Sequence, residues 1–312
     1  MRNAAGVISS VVCLLIASLF NATASAAEPA SFDSAFDTVA AFRYLHQPDL
    51  VFNTVNHQEL LLDVTRPDDN RARPVLLFFH GGGWAYNNKN HADMWLLPWL
   101  AEGFAVVNAD YRKVDVATAP GAVDDARCAL NWIALNADRF HFDLNRIVVS
   151  GHSAGGHLAL MTGYATDSGL FDRQCWNGDG PKVAAVINWY GITDVADLLS
   201  GPHQHAYAVQ WIGNPPDPVA LAKKVSPLSY LRKDVPPTLS IHGDADTVVP
   251  YSHSLRLHEA LRKLGVTEQL ITVPGANHGE FSNEAVTNAY QAIWAFLARQ
   301  KLLPDQDRGS GK

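Results

Sequence analysis

The stretch Gly151-His152-Ser153-Ala154-Gly155 constrains this chain more than any other. It follows a β-branched run, Arg146-Ile147-Val148-Val149-Ser150, and opens a small-residue segment, Gly156-His157-Leu158-Ala159-Leu160-Met161. Strand, G-x-S-x-G and helix in that order predict a tight turn that lifts one serine hydroxyl above a sheet edge. Glycines are needed where a Cβ would clash. The helix that starts there aims N–H groups, and the positive end of its dipole, at the space beside the hydroxyl. That space suits the negative oxygen formed when a serine attacks an acyl carbon.

Around this turn the chain alternates apolar runs with helical patterns. The runs are Leu60–Val64, Val75–Phe79, Phe104–Val107, Ile147–Val149, Val183–Ile187, Thr238–Ile241 and Gln269–Val273. Several are apolar throughout, as strands buried on both faces are. Val123, Ala126, Leu130, Ile133, Ala137 and Phe140 recur at three- and four-residue steps, the spacing of one helical face. Leu255–Leu264 and Ala285–Leu297 read the same way. The alternation predicts an α/β fold with a mostly parallel central sheet and helices on both faces. With 312 residues, 47% of them hydrophobic, the chain has ample material for such a core. Residues 41–303 read as one domain. Within it, 194–235 carries Gly201-Pro202 and Asn214-Pro215-Pro216-Asp217-Pro218 and reads as a small lid-like insertion over the site. The polar stretch 304–312 reads as a flexible tail.

The N-terminus has the pattern of a cleaved export signal. Arg2 is followed by an uncharged apolar stretch from Gly6 to Phe20, then Ala24-Ser25-Ala26 supplies small residues for cleavage before Ala27. Residues 1–26 are therefore expected to be removed, leaving 27–40 as a weakly ordered leader and a protein that is periplasmic or extracellular. The apolar stretch is short for a membrane span, so no stable membrane insertion is expected after cleavage. Cys128 and Cys175 then remain, and an oxidising compartment permits a bridge without compelling one. Net charge is -7 with the signs mixed, and no basic run points to nucleic acid.

A serine hydroxyl needs a base, and the base needs an orienting carboxylate. The run Thr238–Ile241 leads into His242-Gly243-Asp244-Ala245-Asp246-Thr247-Val248-Val249-Pro250, and Gln269–Val273 leads into Pro274-Gly275-Ala276-Asn277-His278-Gly279. Serine, acid and histidine each fall just past the C-terminal end of a run, where sites form in open α/β sheets. Asp246 and Asp244 compete for the acid role; Asp246, deeper in the turn, is favoured, with Asp244 as a loop hydrogen-bonder. Of 13 histidines, His278 alone has the glycine-flanked loop after the last strand. His152 and His157 read as packed residues. His203 and His205, without a carboxylate partner, make a poor metal site.

His80-Gly81-Gly82-Gly83-Trp84 follows Val75–Phe79 directly. Its glycines let backbone N–H groups approach a ligand. Gly82 and Gly83, with Ala154, are the expected oxyanion donors, Trp84 N–H a possible substitute, and His80 a tie for the loop. Trp84, Trp95, Trp99, Trp189 and Trp211 are candidates for stacking on substrate, although core packing is the commoner use of tryptophan.

These residues together resemble the α/β-hydrolase superfamily, in particular its esterase branch with an H-G-G-G loop. That branch includes hormone-sensitive-lipase-like esterases and feruloyl and acetylxylan esterases. The matching stretches run from about Leu60 to Leu297. They include Asn108-Ala109-Asp110-Tyr111-Arg112 and Asp143-Leu144-Asn145-Arg146. The resemblance implies a serine carboxylesterase with Ser153, Asp246 and His278 as the catalytic set and no cofactor or metal. Its substrate would be a short-chain or aromatic ester, free or polysaccharide-linked. An aryl formamidase of the kynurenine type is an alternative, although such relatives usually carry an aromatic residue in place of Gly83. A peptidase would bring a further large domain. A binding protein on a hydrolase scaffold would usually lack a member of the triad.

Overall fold

The computed structural model describes residues 44–166, 171, 175 and 180–305. The expected signal 1–26, the leader 27–40 and the tail beyond 305 lie outside the described residues. No helix among the described residues is long and apolar enough to cross a membrane.

Eight strands form one sheet in the order β1-β2-β4-β3-β5-β6-β7-β8. They are β1 (Tyr44–Val55), β2 (Gln58–Pro67), β3 (Arg73–Phe79), β4 (Ala105–Ala109), β5 (Phe142–His152), β6 (Ala185–Trp189), β7 (Thr238–Gly243) and β8 (Glu268–Val273). β2 runs antiparallel to both β1 and β4, and all other pairings are parallel. Alternation along β3 shows how the layers are made. Val75, Leu77 and Phe79 join one core cluster, with α2 (Gly121–Leu135) and α4 (Ala154–Tyr164) above them. Leu76 and Phe78 join the other, with α1 (Asp93–Ala101) and α8 (Asn283–Arg299). A short helical turn, α3 (Ala137–Phe140), follows α2. α7 (Ser252–Leu264) buries Leu257 and Leu261 on the α2 side and ends at Gly265 in the left-handed region. This is the mostly parallel, helix-covered α/β sheet that the alternation predicts, and it agrees with the α/β-hydrolase fold that the resemblance implies.

Three elements differ from the sequence expectation. β1 has no counterpart in it. Pro48 and Asp49 interrupt the strand, and its register slips between Gln47 and Leu50, so the period of two is broken where it would be read. The single helical face from Val123 to Phe140 divides, because the backbone leaves helical geometry at Asn136 (φ -112, ψ 13). The expected Val183–Ile187 run shifts to Ala185–Trp189. β5 continues to His152, and Trp189 is the residue that pairs with it.

The 194–235 segment folds as short pieces. Single turns at Ala196–Leu198 and Gly201–His203 precede α5 (Ala206–Ile212) and α6 (Pro218–Lys224). Asp217 caps α6 by accepting from Ala220 N at 2.9 Å, with Pro218 in the first helical position.

Cys128, buried in α2, is bonded to Cys175 across a separation of 47 residues. The bridge resolves the pairing that composition leaves open. Closing so long a loop restricts the unfolded chain, so a Cys128→Ser/Cys175→Ser double variant should lose about 2–4 kcal/mol of stability. Urea midpoints of the oxidised wild type and the double variant measure it. Equal midpoints would refute it.

Candidate active site

β5 ends at His152, and the chain turns into α4 through Ser153. That serine has φ 54 and ψ -117, a conformation L residues rarely adopt. Two bonds fix it: Ser153 N donates to Trp189 O at 2.9 Å, and His157 N donates to Ser153 O at 2.9 Å. The turn leaves no space behind the serine. A Cβ on Gly151 would sit 2.5 Å from the Gly155 carbonyl, and one on Gly155 would sit 2.0 Å from Phe79 O. The glycines of the motif are thus explained by close backbone approach.

Ser153 Oγ lies 2.9 Å from His278 Nε2, and His278 Nδ1 lies 2.7 Å from Asp246 Oδ2. A carboxylate only accepts, so Nδ1 carries the hydrogen and Nε2 is left to receive the serine proton. Asp246 Oδ1 accepts from Val248 N and Val249 N, each at 2.8 Å. Burial pushes the Asp246 carboxyl up, but N–H donors from His242, His278 and the backbone outweigh it and hold the group well below the usual carboxylate range. Asp246 is therefore an anion throughout the working range of an imidazole base. Asp244 lies outside this chain of contacts. Its Oδ1 accepts from Gly275 N at 2.6 Å, tying the acid loop to the histidine loop.

The His80–Trp84 loop passes over the elbow: a Cβ on Gly81 would meet His152 O at 3.0 Å. Gly82 and Gly83 take φ of +127° and +59°, and both line a cavity of about 380 Å³ with Ser153 and His278. Ala154 N–H opens α4, where first-turn amides have no intrahelical acceptor. Gly82 and Gly83 therefore share a cavity with Ser153, and Ala154 follows that serine at the helix start. His80 ties the loop as expected: Nδ1 donates to Gly81 O at 2.7 Å, Nε2 lies 3.2 Å from Asp110, and the ring stacks on Tyr111. The ensemble has the parts acyl transfer needs, namely a nucleophile, an oriented base and amides for a developing oxyanion.

The BD-FAE family profile matches residues 62–261, which span the sheet from β2, the elbow and the acid loop. The chain belongs to the BD-FAE family. It is 30% identical over 248 residues to the esterase LipC of Mycobacterium tuberculosis, covering 76% of this chain and 60% of LipC. It therefore spans less than two thirds of that relative. A thermophilic esterase from Thermogutta terrifontis, at 26% identity, superposes with TM-score 0.71, over 86% of this chain and 96% of that one. A truncated carbohydrate esterase from gut microbiota, at 27% identity, gives TM-score 0.72 over 83% and 96%.

In this BD-FAE chain the tryptophans serve the core. Trp84, Trp99, Trp189 and Trp211 are fully buried, and the aromatic residues lining the cavity are Tyr86, Tyr190 and Tyr207. Tyr190 is the residue after β6, and position past a strand end was the available signal for it. Trp84 sits at φ 58 and stacks on Trp211 of α5, with ring centroids 3.9 Å apart. From the same helix, Tyr207 packs over Gly83 and donates to Val248 O at 3.0 Å. The 194–235 segment thus ties the Gly82–Gly83 loop to the loop that carries Asp246. Nothing in the sequence marked Tyr207, because α5 is too short for a readable period.

The remaining histidines fall into place, with one correction. His203 does have a carboxylate partner, Asp197 at 3.1 Å, and Asp197 also faces His253 and Arg256. The arrangement is an ion-pair cluster, and no group of three or more potential metal ligands occurs among the described residues. His157 is buried, with Nε2 donating to Val225 O at 2.6 Å. His152 packs against Phe78, Trp95, Trp189 and Tyr190.

Burial lowers His157 from 6.5 to about 4. Burial, with the charges of His278 and His80, lowers His152 from 6.5 to about 3. Both fold in the neutral form, so their contribution is complete above pH 6.5 and is lost as pH falls toward 4. In that window each makes stability fall as the pH falls, because the unfolded chain binds the proton more readily. Urea midpoints should therefore fall steadily below pH 6.5, and a His157→Gln variant should show a shallower fall. Parallel curves would exclude this account.

Proposed function

We propose that this BD-FAE member is an exported serine carboxylesterase acting on short-chain or aromatic esters of acetyl or feruloyl type, free or polysaccharide-linked. The observation that carries the reading is the Ser153 Oγ to His278 Nε2 contact of 2.9 Å, beneath the Gly82–Gly83 loop. Ser153 attacks the ester carbonyl while His278 takes its proton. The amides of Gly82, Gly83 and Ala154 hold the oxyanion, each donor worth about 3 kcal/mol in related chemistry. His278 returns the proton to the leaving alcohol, then activates water to release the acyl group. Only neutral His278 can begin this cycle, so turnover is lost on acidification.

A cavity of about 380 Å³ walled by tyrosines favours compact or planar acyl groups over long lipid chains. The names of the relatives support ester hydrolysis as the reaction. Export is supported by the 1–26 pattern and by the Cys128–Cys175 bridge, which an oxidising compartment allows to persist.

A kinetic panel of acetyl, butyryl and octanoyl aryl esters, methyl ferulate, acetylated xylan and an aryl formamide tests the substrate reading. Acetyl or feruloyl esters should give the highest kcat/KM. Preference for the formamide or the octanoyl ester would overturn it. Recovery of a form beginning near Ala27 outside the cytoplasm tests export.

A further inference from the structure

We infer that His242 is a positioning residue that shares the Asp246 carboxylate with His278 and so sets the proton affinity of the base; this rests on the serine-esterase reading above. His242 lies at the end of β7 and is fully buried. Its Nε2 is 3.0 Å from Val249 O and 3.2 Å from Asp246 Oδ2. A carbonyl and a carboxylate oxygen only accept, so Nε2 carries a hydrogen shared between them. Nδ1 lies 2.7 Å from Ser254 Oγ in the first turn of α7, a hydroxyl that can donate to a neutral Nε2–H ring. Nε2 is thereby fixed as a hydrogen-bearing nitrogen of His242, pointed at the acid.

Asp246 then has four N–H donors. Two backbone amides take Oδ1, while His278 and His242 share Oδ2. The consequence falls on His278. An imidazolium there is stabilised by whatever negative charge Oδ2 still presents. The His242 N–H draws on that same charge, so it limits how strongly His278 holds a proton. The neutral ring is the form that accepts from Ser153. Other titratable groups face the pair. The Tyr190 ring lies 4.7 Å from His278, and the Tyr251 ring 5.6 Å from His242. His152, Tyr207 and His253 also stand within electrostatic reach of His278, Asp246 and His242 respectively. Burial, with the Asp246 charge, raises Tyr190 and Tyr207 above their usual range, so both stay neutral. Asp246 is the anion both imidazoles address.

The test is the pH profile of kcat/KM for a soluble aryl acetate, whose acid limb reports the base in the free enzyme. In His242→Phe, Oδ2 keeps one side-chain donor, and the limb should move upward by about half to one pH unit. In His242→Gln an amide N–H can replace Nε2–H, and the limb should return toward wild type. A residue that merely fills space would lower stability or kcat without moving the limb. A limb in His242→Phe that stays or moves down, or equal limbs in both variants, would overturn the inference. Should His242→Phe not fold, long-range ¹H–¹⁵N spectra of the wild type decide. The Nε2–H tautomer of His242 is expected, and an Nδ1–H or doubly protonated ring would refute it. A Ser153→Ala control separates the two readings: if it retains turnover, the esterase mechanism fails, whereas the His242 comparison is read only on activity that Ser153→Ala abolishes.

Discussion

Replacing Ser153 with alanine is expected to lower kcat/KM for a soluble aryl acetate by about 10⁴-fold or more, with the thermal midpoint nearly unchanged. The size follows from the division of labour in the site. In the proposed mechanism His278 and Asp246 move one proton, and without the hydroxyl there is no proton to move and no acyl-enzyme. What survives is the Gly82, Gly83 and Ala154 amides acting on water-borne hydrolysis. The fold should not notice. The hydroxyl makes one side-chain bond, to His278, and the unusual backbone angles at 153 are held by the amide to Trp189 O and the carbonyl to His157 N, which alanine retains. Turnover and fluorophosphonate labelling measure it. A folded variant keeping more than about one hundredth of wild-type turnover would end the nucleophile assignment.

The second large effect is on the fold. In an ordinary helix first turn, glycine to alanine stabilises by up to about 1 kcal/mol. At Gly155 the sign should reverse, with a loss of about 3 kcal/mol or more. The added Cβ would stand 2.0 Å from Phe79 O and 2.5 Å from His80 O. Neither oxygen can retreat easily, because Phe79 is paired to β4 on one side and β5 on the other and His80 O accepts from the Tyr111 hydroxyl at 3.0 Å. Either α4 lifts off the sheet or the end of β3 bends, and both carry the oxyanion donors away from Ser153. Gly155→Ala should therefore lose soluble yield, thermal midpoint and turnover together. A variant with wild-type midpoint would mean that the helix packs less closely than described.

The positions of these effects were legible in the sequence because their causes are local. A serine on a strained turn needs small neighbours, and an apolar run followed by a polar glycine-bearing loop marks the end of a buried strand. Thus Ser153, Asp246, His278 and the Gly82–Gly83 loop stand out before any coordinates. What could not be read depends on contacts distant in sequence. Tyr207 packs on Gly83 and bonds to Val248 O, 41 residues on. His242 resembles any strand-end histidine until the β7–α7 loop folds back and sets Asp246 against it. β1 escaped for a different reason: an edge strand with one face toward water, broken by Pro48 and a bulge, lacks both signals a strand normally gives.

The stack of Trp84 on Trp211 has a consequence for how such a protein can change. The 194–235 segment, which supplies Tyr207 to one wall of the cavity, resembles a module free to be exchanged. Here it is not separable. The indole of Trp211 and the ring of Tyr207 are also the surface against which the oxyanion loop is set, so a transplanted segment that redraws the wall also displaces the amides. On the proposed mechanism, a change that alters selectivity through this wall alters rate as well, because both lean on one pair of stacked rings.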